Sequence, residues 1–285
     1  TQFYESFTEA SKNVYYLFIG KATAYTTSTT TGSDSSPPTP ADAVGETEYY
    51  AWDSMLAAKN ISSSDVTYAL PRRNWTNGTI YDMYKHNISS ASTSTSGASN
   101  LYDSTFYFLT SDNRVYKVLD NNAGTAYSGS EPTSESTSPF ALGGYVLKYI
   151  YSVTSAEAAK YLTTDYMPVS TDSTVSAAAT DGKIESLVIT AGSGYSNGTY
   201  YAAVYGDGTS QGTSSGAIVR ITVSGGAIAS FGLTAGTDTT IHSAGSGYTY
   251  GTVNLGSSYI FSDTGLSSSS SVGSGTGGVI DVIIS

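Results

Sequence analysis

Apolar residues in this chain come in short runs, and Ser, Thr and Gly fill the long stretches between them. Val14–Tyr25 (VYYLFIGKATAY) is aromatic and β-branched with no breaker before Gly20, which predicts a strand. Thr26–Thr47 carries Pro37, Pro38 and Pro40 and reads as an extended surface loop. Trp52, Met55 and Leu56 recur at helical spacing, so Glu48–Lys59 is predicted as a helix capped by Thr47. Val66–Leu70 reads as a short strand entering Pro71–Trp75. Beyond a second polar tract, Ile88–Asn100, the segments Thr105–Leu109 and Arg114–Leu119 alternate as the arms of a hairpin around Ser111-Asp112-Asn113. A third polar tract, Asn121–Pro139, precedes Gly144–Val153 (GYVLKYIYSV), whose alternation fits a half-buried strand. Thr154 and Glu157 form a capping-box pattern that opens a short helix through Leu162. Tyr166–Val169 closes this region.

From Lys183 the pattern changes to glycine-punctuated strands without a helix signal. Ala191-Gly-Ser-Gly-Tyr195 and Ala244-Gly-Ser-Gly-Tyr248 nearly repeat each other, as do Gly216–Ser224 and Gly277–Ser285. The order is the same in both copies: a glycine-aromatic turn, a β-branched run, a Ser/Gly tract and another run. Such duplication implies stacked or side-by-side structural modules. The unequal offsets, 53 residues from 191 to 244 and 61 from 216 to 277, argue against a strict solenoid. The expected architecture is mainly β with a few short helices: a β-sandwich-like first region (1–170), a linker of exposed composition (171–182) and a glycine-rich β-repeat module (183–285). The apolar run at Ser285 is read as leaving that module incomplete.

Composition narrows the function classes. With 23 acidic against 12 basic residues the chain carries a formal charge of −11 and no basic stripe, which argues against nucleic acid as a partner. No segment approaches the roughly 20 apolar residues of a membrane-spanning helix. Cysteine is absent, so disulfides, thiolate metal sites and Cys nucleophiles are excluded together. The 25 tyrosines offer large area with a polar tip, a composition that favours assembly surfaces.

Candidate chemistry is sparse. His86 and His242 are the two histidines, neither beside an acidic motif, and both read as surface residues. Glu46 and Glu48 flank the predicted helix start, Glu131 and Glu135 lie in a polar tract, and Asp207 and Asp238 read as turn formers. No catalytic, metal or cofactor site is assigned. Arg72-Arg73 beside Trp75 has two readings: an interface anchor, or a loop fixed by a guanidinium that pairs with a local carboxylate and stacks on Trp75. The local role is the simpler. Tyr195 and Tyr248 are either exposed platforms for sugar or protein, or rings that cover their own Gly-Ser-Gly turns. Covering is preferred, because a thin sheet needs large side chains to bury enough area.

Four pieces of the first region occur in a familiar order: Tyr16–Gly20 (YLFIG), Leu70–Trp75 (LPRRNW), Gly144–Tyr151 (GYVLKYIY) and Tyr166–Val169 (YMPV). Together they resemble the T4-like phage baseplate wedge protein family called gene product eight, over roughly residues 14 to 170. The glycine-tyrosine repeats resemble modules in structural proteins of cyanobacterial myoviruses, which implies a cyanophage-type member. The resemblance implies a non-enzymatic virion component of the contractile tail baseplate, assembled in the host cytoplasm. It also implies a dimer of this chain within each wedge and contacts to other wedge proteins. The alternative from composition is a carbohydrate-binding or adhesin-like β-protein.

Overall fold

In a computed structural model the described residues are 2–7, 9, 13–20, 36, 52–53, 55–213 and 216–285. They fall into two compact units, Thr1–Ala69 and Leu70–Ser285.

The first unit is a hairpin with an aromatic foot. β1 (Tyr15–Gly20) pairs antiparallel with β2 (Met55–Ile61), from Tyr15 opposite Ile61 to Gly20 opposite Met55. Helix α1 (Gln2–Glu5) sets Phe3 and Phe7 against Tyr15, with ring centroids 5.2 and 4.8 Å away. The helix expected over 48–59 is corrected here: Trp52 and Asp53 are helical, but Met55–Ile61 is a strand. Pairing with β1 satisfies the backbone of this Ala-containing segment, and that tertiary term overrides its helical spacing. The expected loop at 26–47, apart from Ser36, lies outside the described residues, as do Glu46, Glu48 and the end of the first strand beyond Gly20.

The second unit begins with a four-stranded antiparallel sheet in the order β4-β5-β7-β6. Its strands are β4 (Tyr107–Leu109), β5 (Arg114–Asp120), β6 (Phe140–Leu142) and β7 (Tyr145–Ser152). The predicted hairpin and the predicted strand over 144–153 are both present. A turn with Asn113 at φ 61° joins β4 to β5. One face packs Phe108, Tyr116, Val118, Tyr145, Leu147 and Tyr149 into a core with Tyr81, Met83 and Tyr127. The other packs Tyr107, Leu109, Val115, Tyr151 and Val153 with Met167. The short strands β3 (Ala69–Pro71) and β8 (Tyr166–Pro168) pair with each other. Helix α2 (Ser155–Tyr161) starts as the capping box predicts, Thr154 Oγ1 accepting from Glu157 N–H at 3.2 Å and Glu157 accepting from Thr154 N–H at 2.9 Å.

Tyrosine in this sheet works inward. Tyr116, Tyr127 and Tyr145 are fully buried. Their hydroxyls donate to backbone carbonyls of the polar tract: Tyr116 to Ser134 (2.9 Å), Tyr127 to Ser130 (3.0 Å) and Tyr145 to Thr125 (2.7 Å). A Phe would bury similar area but leave those carbonyls unpaired. The tyrosines therefore pin long polar tracts onto the core, where composition suggested assembly surfaces. Burial raises the Tyr116 and Tyr127 phenols to about 12.

The rest of the second unit is a seven-stranded, nearly closed barrel-like sheet. Its strands are β9 (Ile184–Thr190), β10 (Gly198–Gly206), β11 (Ile218–Ser224), β12 (Ala227–Ile228), β13 (Thr240–Ser243), β14 (Gly251–Val253) and β15 (Val279–Ile284). The order is β12-β11-β10-β14-β15-β9, and β13 also pairs with β11. Ile184 N–H donates to Ala244 carbonyl at 2.9 Å, bringing the β9 edge to the end of β13. Helix α3 (Ser173–Ala177), capped by Asp172, lies within the segment of linker composition. Leu119 and Val146 of the four-stranded sheet belong to the same buried cluster as the barrel residues.

The two sequence repeats are woven into this barrel, not stacked or set side by side. In the first copy β9, the Gly-Ser-Gly-Tyr turn, β10 and β11 follow in sequence; in the second, β13, the turn, β14 and β15 do. The order β9-β15-β14-β10-β11-β13 is unchanged when the copies are exchanged, so a pseudo-two-fold axis runs between β10 and β14, where Val204 opposes Val253. Each copy's third strand lies between its own second strand and the first strand of the other copy. The Tyr195 hydroxyl accepts from Gly278 N–H (2.9 Å), at the entry to β15, and the Tyr248 hydroxyl accepts from Ala217 N–H (3.2 Å), at the entry to β11. Gly192 and Gly245, at φ 62° and 60°, open the two turns. A side chain at Gly245 would put its Cβ 2.8 Å from Ala217 N, and one at Gly192 would lie 2.6 Å from Thr276 O, so only glycine lets the crossing strands approach this closely.

Candidate assembly surfaces

A two-stranded ribbon in water is marginal unless something covers it. Successive residues of a strand face opposite sides. On β1, Leu17 and Ile19 share one side and Tyr16 and Phe18 the other, and all four are exposed, from 49% at Phe18 to 66% at Tyr16. Leu56 and Trp52 are exposed as well. Large apolar side chains on both faces of one ribbon exceed the scattered exposure usual on a monomer. The strand was legible in the sequence. Its exposure was not, because an apolar run reads equally as a core strand.

Arg72, Arg73 and Trp75 lie where the chain leaves β3. Arg72 donates to Asn74 Oδ1 (2.9 Å) and to the Thr163 carbonyl (2.8 Å), tying this segment to the stretch before β8. Arg73 donates to the Tyr102 carbonyl (2.8 Å) and lies over the Tyr107 ring at 5.4 Å. The expected carboxylate pairing and stacking on Trp75 are corrected: among the described residues the partners are carbonyls and an amide, and the stacked ring is Tyr107. Trp75 meets Tyr127 edge to face at 6.0 Å, its backbone N–H donates to the Leu109 carbonyl (2.8 Å), and Leu109 N–H donates to the Arg73 carbonyl (2.7 Å). The three residues thus share a segment, not a contact.

Tyr195 and Tyr248 are 8% and 2% exposed, inside the barrel core. As platforms for a glycan they are out of reach. His242 is exposed, edge-on to Tyr201. His86 is half-buried, and its Nδ1 accepts from Ile284 N–H at 3.2 Å; burial holds its pKa below the ordinary value. That corrects the surface reading for His86. Glu135 pairs with Arg114 (2.7 Å) and Glu131 accepts from Ser111 N–H (2.6 Å). Asp238 accepts from Thr234 N–H (2.9 Å) in its own turn as expected, whereas the turn reading of Asp207 is corrected: it accepts from Thr249 N–H (2.8 Å), 42 residues on, and ties two distant loops together.

Two buried carboxylates carry no sequence signal. Asp82, 1% exposed, accepts from Ser96 N–H (2.7 Å), Thr105 N–H (2.8 Å) and Ser104 Oγ (3.0 Å). Burial alone would raise its pKa; these donors outweigh burial and hold it below the ordinary value. It organises the second polar tract. Glu185 on β9, 5% exposed, is paired with Lys117 of β5 and Lys148 of β7 (2.6 Å), and the two ammonium groups outweigh its burial to hold it ionised. Lys117 also lies over the Tyr84 ring at 3.5 Å. This triad joins the four-stranded sheet to the barrel. A contact between strands some seventy residues apart leaves no local pattern to read.

Among the described residues no group of three or more His, Cys, Asp or Glu is placed to hold a metal ion, and no helix is long and apolar enough to cross a membrane. No curated protein and no solved structure matches this chain. A family model described as "Bacteriophage T4, Gp8" matches residues 1–130. That span holds the ribbon strand Tyr16–Gly20 and the Leu70–Trp75 segment; the motifs at Gly144–Tyr151 and Tyr166–Val169 lie beyond it. Over its first 130 residues the chain is therefore similar to the Gp8 family of phage baseplate structural proteins.

Proposed function

We propose that this protein is a structural subunit of a contractile-tail baseplate wedge that acts by associating with itself and with neighbouring wedge proteins. The family match over residues 1–130 carries this reading. The apolar ribbon supports it, since Tyr16, Leu17, Phe18, Ile19 and Leu56 need a cover that the described residues do not supply. Function of this kind is spread over extended contacts rather than a pocket. A dimer within each wedge is the simplest self-association, because two-fold contacts use one surface twice. The glycine-rich barrel from 183 onward is proposed as a module added through 171–182 and fused to the four-stranded sheet by a shared core that includes Leu119 and Val146.

The test is co-expression with the other tail proteins of the same virus, followed by sedimentation and recovery from purified particles. The chain is expected to sediment above monomer mass, to co-purify with wedge proteins and to be present in intact tails. A chain that stays monomeric, captures no tail protein and is missing from particles would overturn the proposal.

A further inference from the structure

A cleft of about 440 Å³ opens on the barrel between β9, β11 and β13. Its apolar walls include Ile184, Phe231, Leu233 and Ile241, and its polar lining includes Lys183, Arg220 and His242. The local charge is at odds with the chain as a whole. The chain carries −11, yet Glu185 at the cleft is the shared partner of Lys117 and Lys148, with Lys183 alongside, so one carboxylate faces three ammonium groups. Burial, and then the Lys148 ammonium, push Lys183 below its ordinary pKa. Arg220 adds a fourth cation, and its buried Nε has no acceptor. Among the described residues Arg220 forms no ion pair with a carboxylate, and the Asp238 carboxylate accepts from Thr234 N–H and Thr237 Oγ1 in its own turn.

A buried guanidinium N–H without an acceptor is costly, and a carboxylate is its best planar partner. Apolar walls beside that donor favour a carboxylate carried next to hydrophobic side chains over a fully hydrated inorganic ion. We propose that this cleft binds an acidic, partly apolar peptide segment, its carboxylate taken by Arg220 and Lys183 and its apolar neighbour seated on Phe231, Leu233 and Ile241. The cleft alone carries the inference, which stands or falls separately from the baseplate role.

The experiment is titration of the full chain with a fluorescent blocked peptide alternating Leu and Glu, against its Leu/Gln counterpart and inorganic phosphate. The acidic peptide is expected to bind at least about tenfold tighter than the amide peptide, and Arg220→Gln to lose about tenfold, the scale of one charge-assisted hydrogen bond. Leu233 is 42% exposed, so Leu233→Asp should keep the fold while weakening the acidic peptide through repulsion. That variant stands in if Arg220→Gln does not fold. Equal binding of the two peptides, or unchanged affinity in folded Arg220→Gln or Leu233→Asp, would overturn the proposal. Displacement of the peptide by phosphate at equal concentration would overturn it too, by showing a simple oxyanion site.

Discussion

The β1–β2 ribbon and the barrel are both built from short apolar strands, yet they spend those side chains in opposite ways. In the barrel, Ile184, Leu187, Val204, Val219, Ile221 and Ile280 converge on one buried cluster. In the ribbon, Tyr16, Leu17, Phe18 and Ile19 point out on both sides. The number of neighbours makes the difference. Seven strands curl until the ends of β9 and β13 meet, so an inside exists. Two strands enclose nothing, and their apolar faces wait for another surface. Self-sufficiency in this protein is thus a property of closure, and the region that lacks closure falls in the Gp8-matching span.

The largest effect is expected where the barrel is fastened to the four-stranded sheet. Glu185→Ala leaves Lys117 and Lys148 facing each other without a counter-charge, and stability in urea unfolding should fall by about 3–5 kcal/mol. A change under about 1 kcal/mol would show that the triad is a bystander. Next in size are the third strands of the two repeats. Tyr248→Phe and Tyr195→Phe each strip the acceptor from one N–H at a strand entry, and each should cost about 1–3 kcal/mol. Similar losses at the two sites would confirm their equivalence; a loss at one alone would break the two-fold description.

A smaller effect comes from His86. Burial disfavours its charged form and holds its pKa below the ordinary 6.5, and in the folded state its Nδ1 accepts from Ile284 N–H. The unfolded chain then takes up the proton first as pH falls. Stability is therefore complete above pH 6.5 and declines below it, until the folded ring also titrates. Unfolding midpoints measured from pH 7.5 down to about 5.5 should fall more steeply in the native chain than in His86→Asn. The smallest stability effect is expected in the ribbon. Leu17→Asp and Ile19→Asp should change the unfolding free energy by no more than about 0.5 kcal/mol, because neither side chain is buried. The same substitutions should abolish association in sedimentation. If they unfold the chain instead, the ribbon is core and the contrast with the barrel collapses.

Local signals were legible where the physics is local. The hairpin around Asn113 and the capping box at Thr154 appear as their residues predict, while Tyr145–Ser152 is a strand as expected but buried on both faces instead of one. Met55–Ile61 went the other way, because its backbone found β1 as a partner and spacing alone cannot register that competitor. Of the candidate residues, Arg73 was expected to stack on its neighbour Trp75, but the ring it lies over belongs to Tyr107 on a distant strand.

Composition and order thus determined a β-rich, acidic, cysteine-free chain with duplicated glycine-tyrosine turns and a first region resembling a baseplate family. Those properties follow from residue identity and near-neighbour spacing. Which first strand each third strand lies beside, which carboxylates end up buried and which apolar run stays uncovered were decided only in three dimensions. Each depends on what a distant segment brings to within a few ångströms, and distance along the chain carries no record of that.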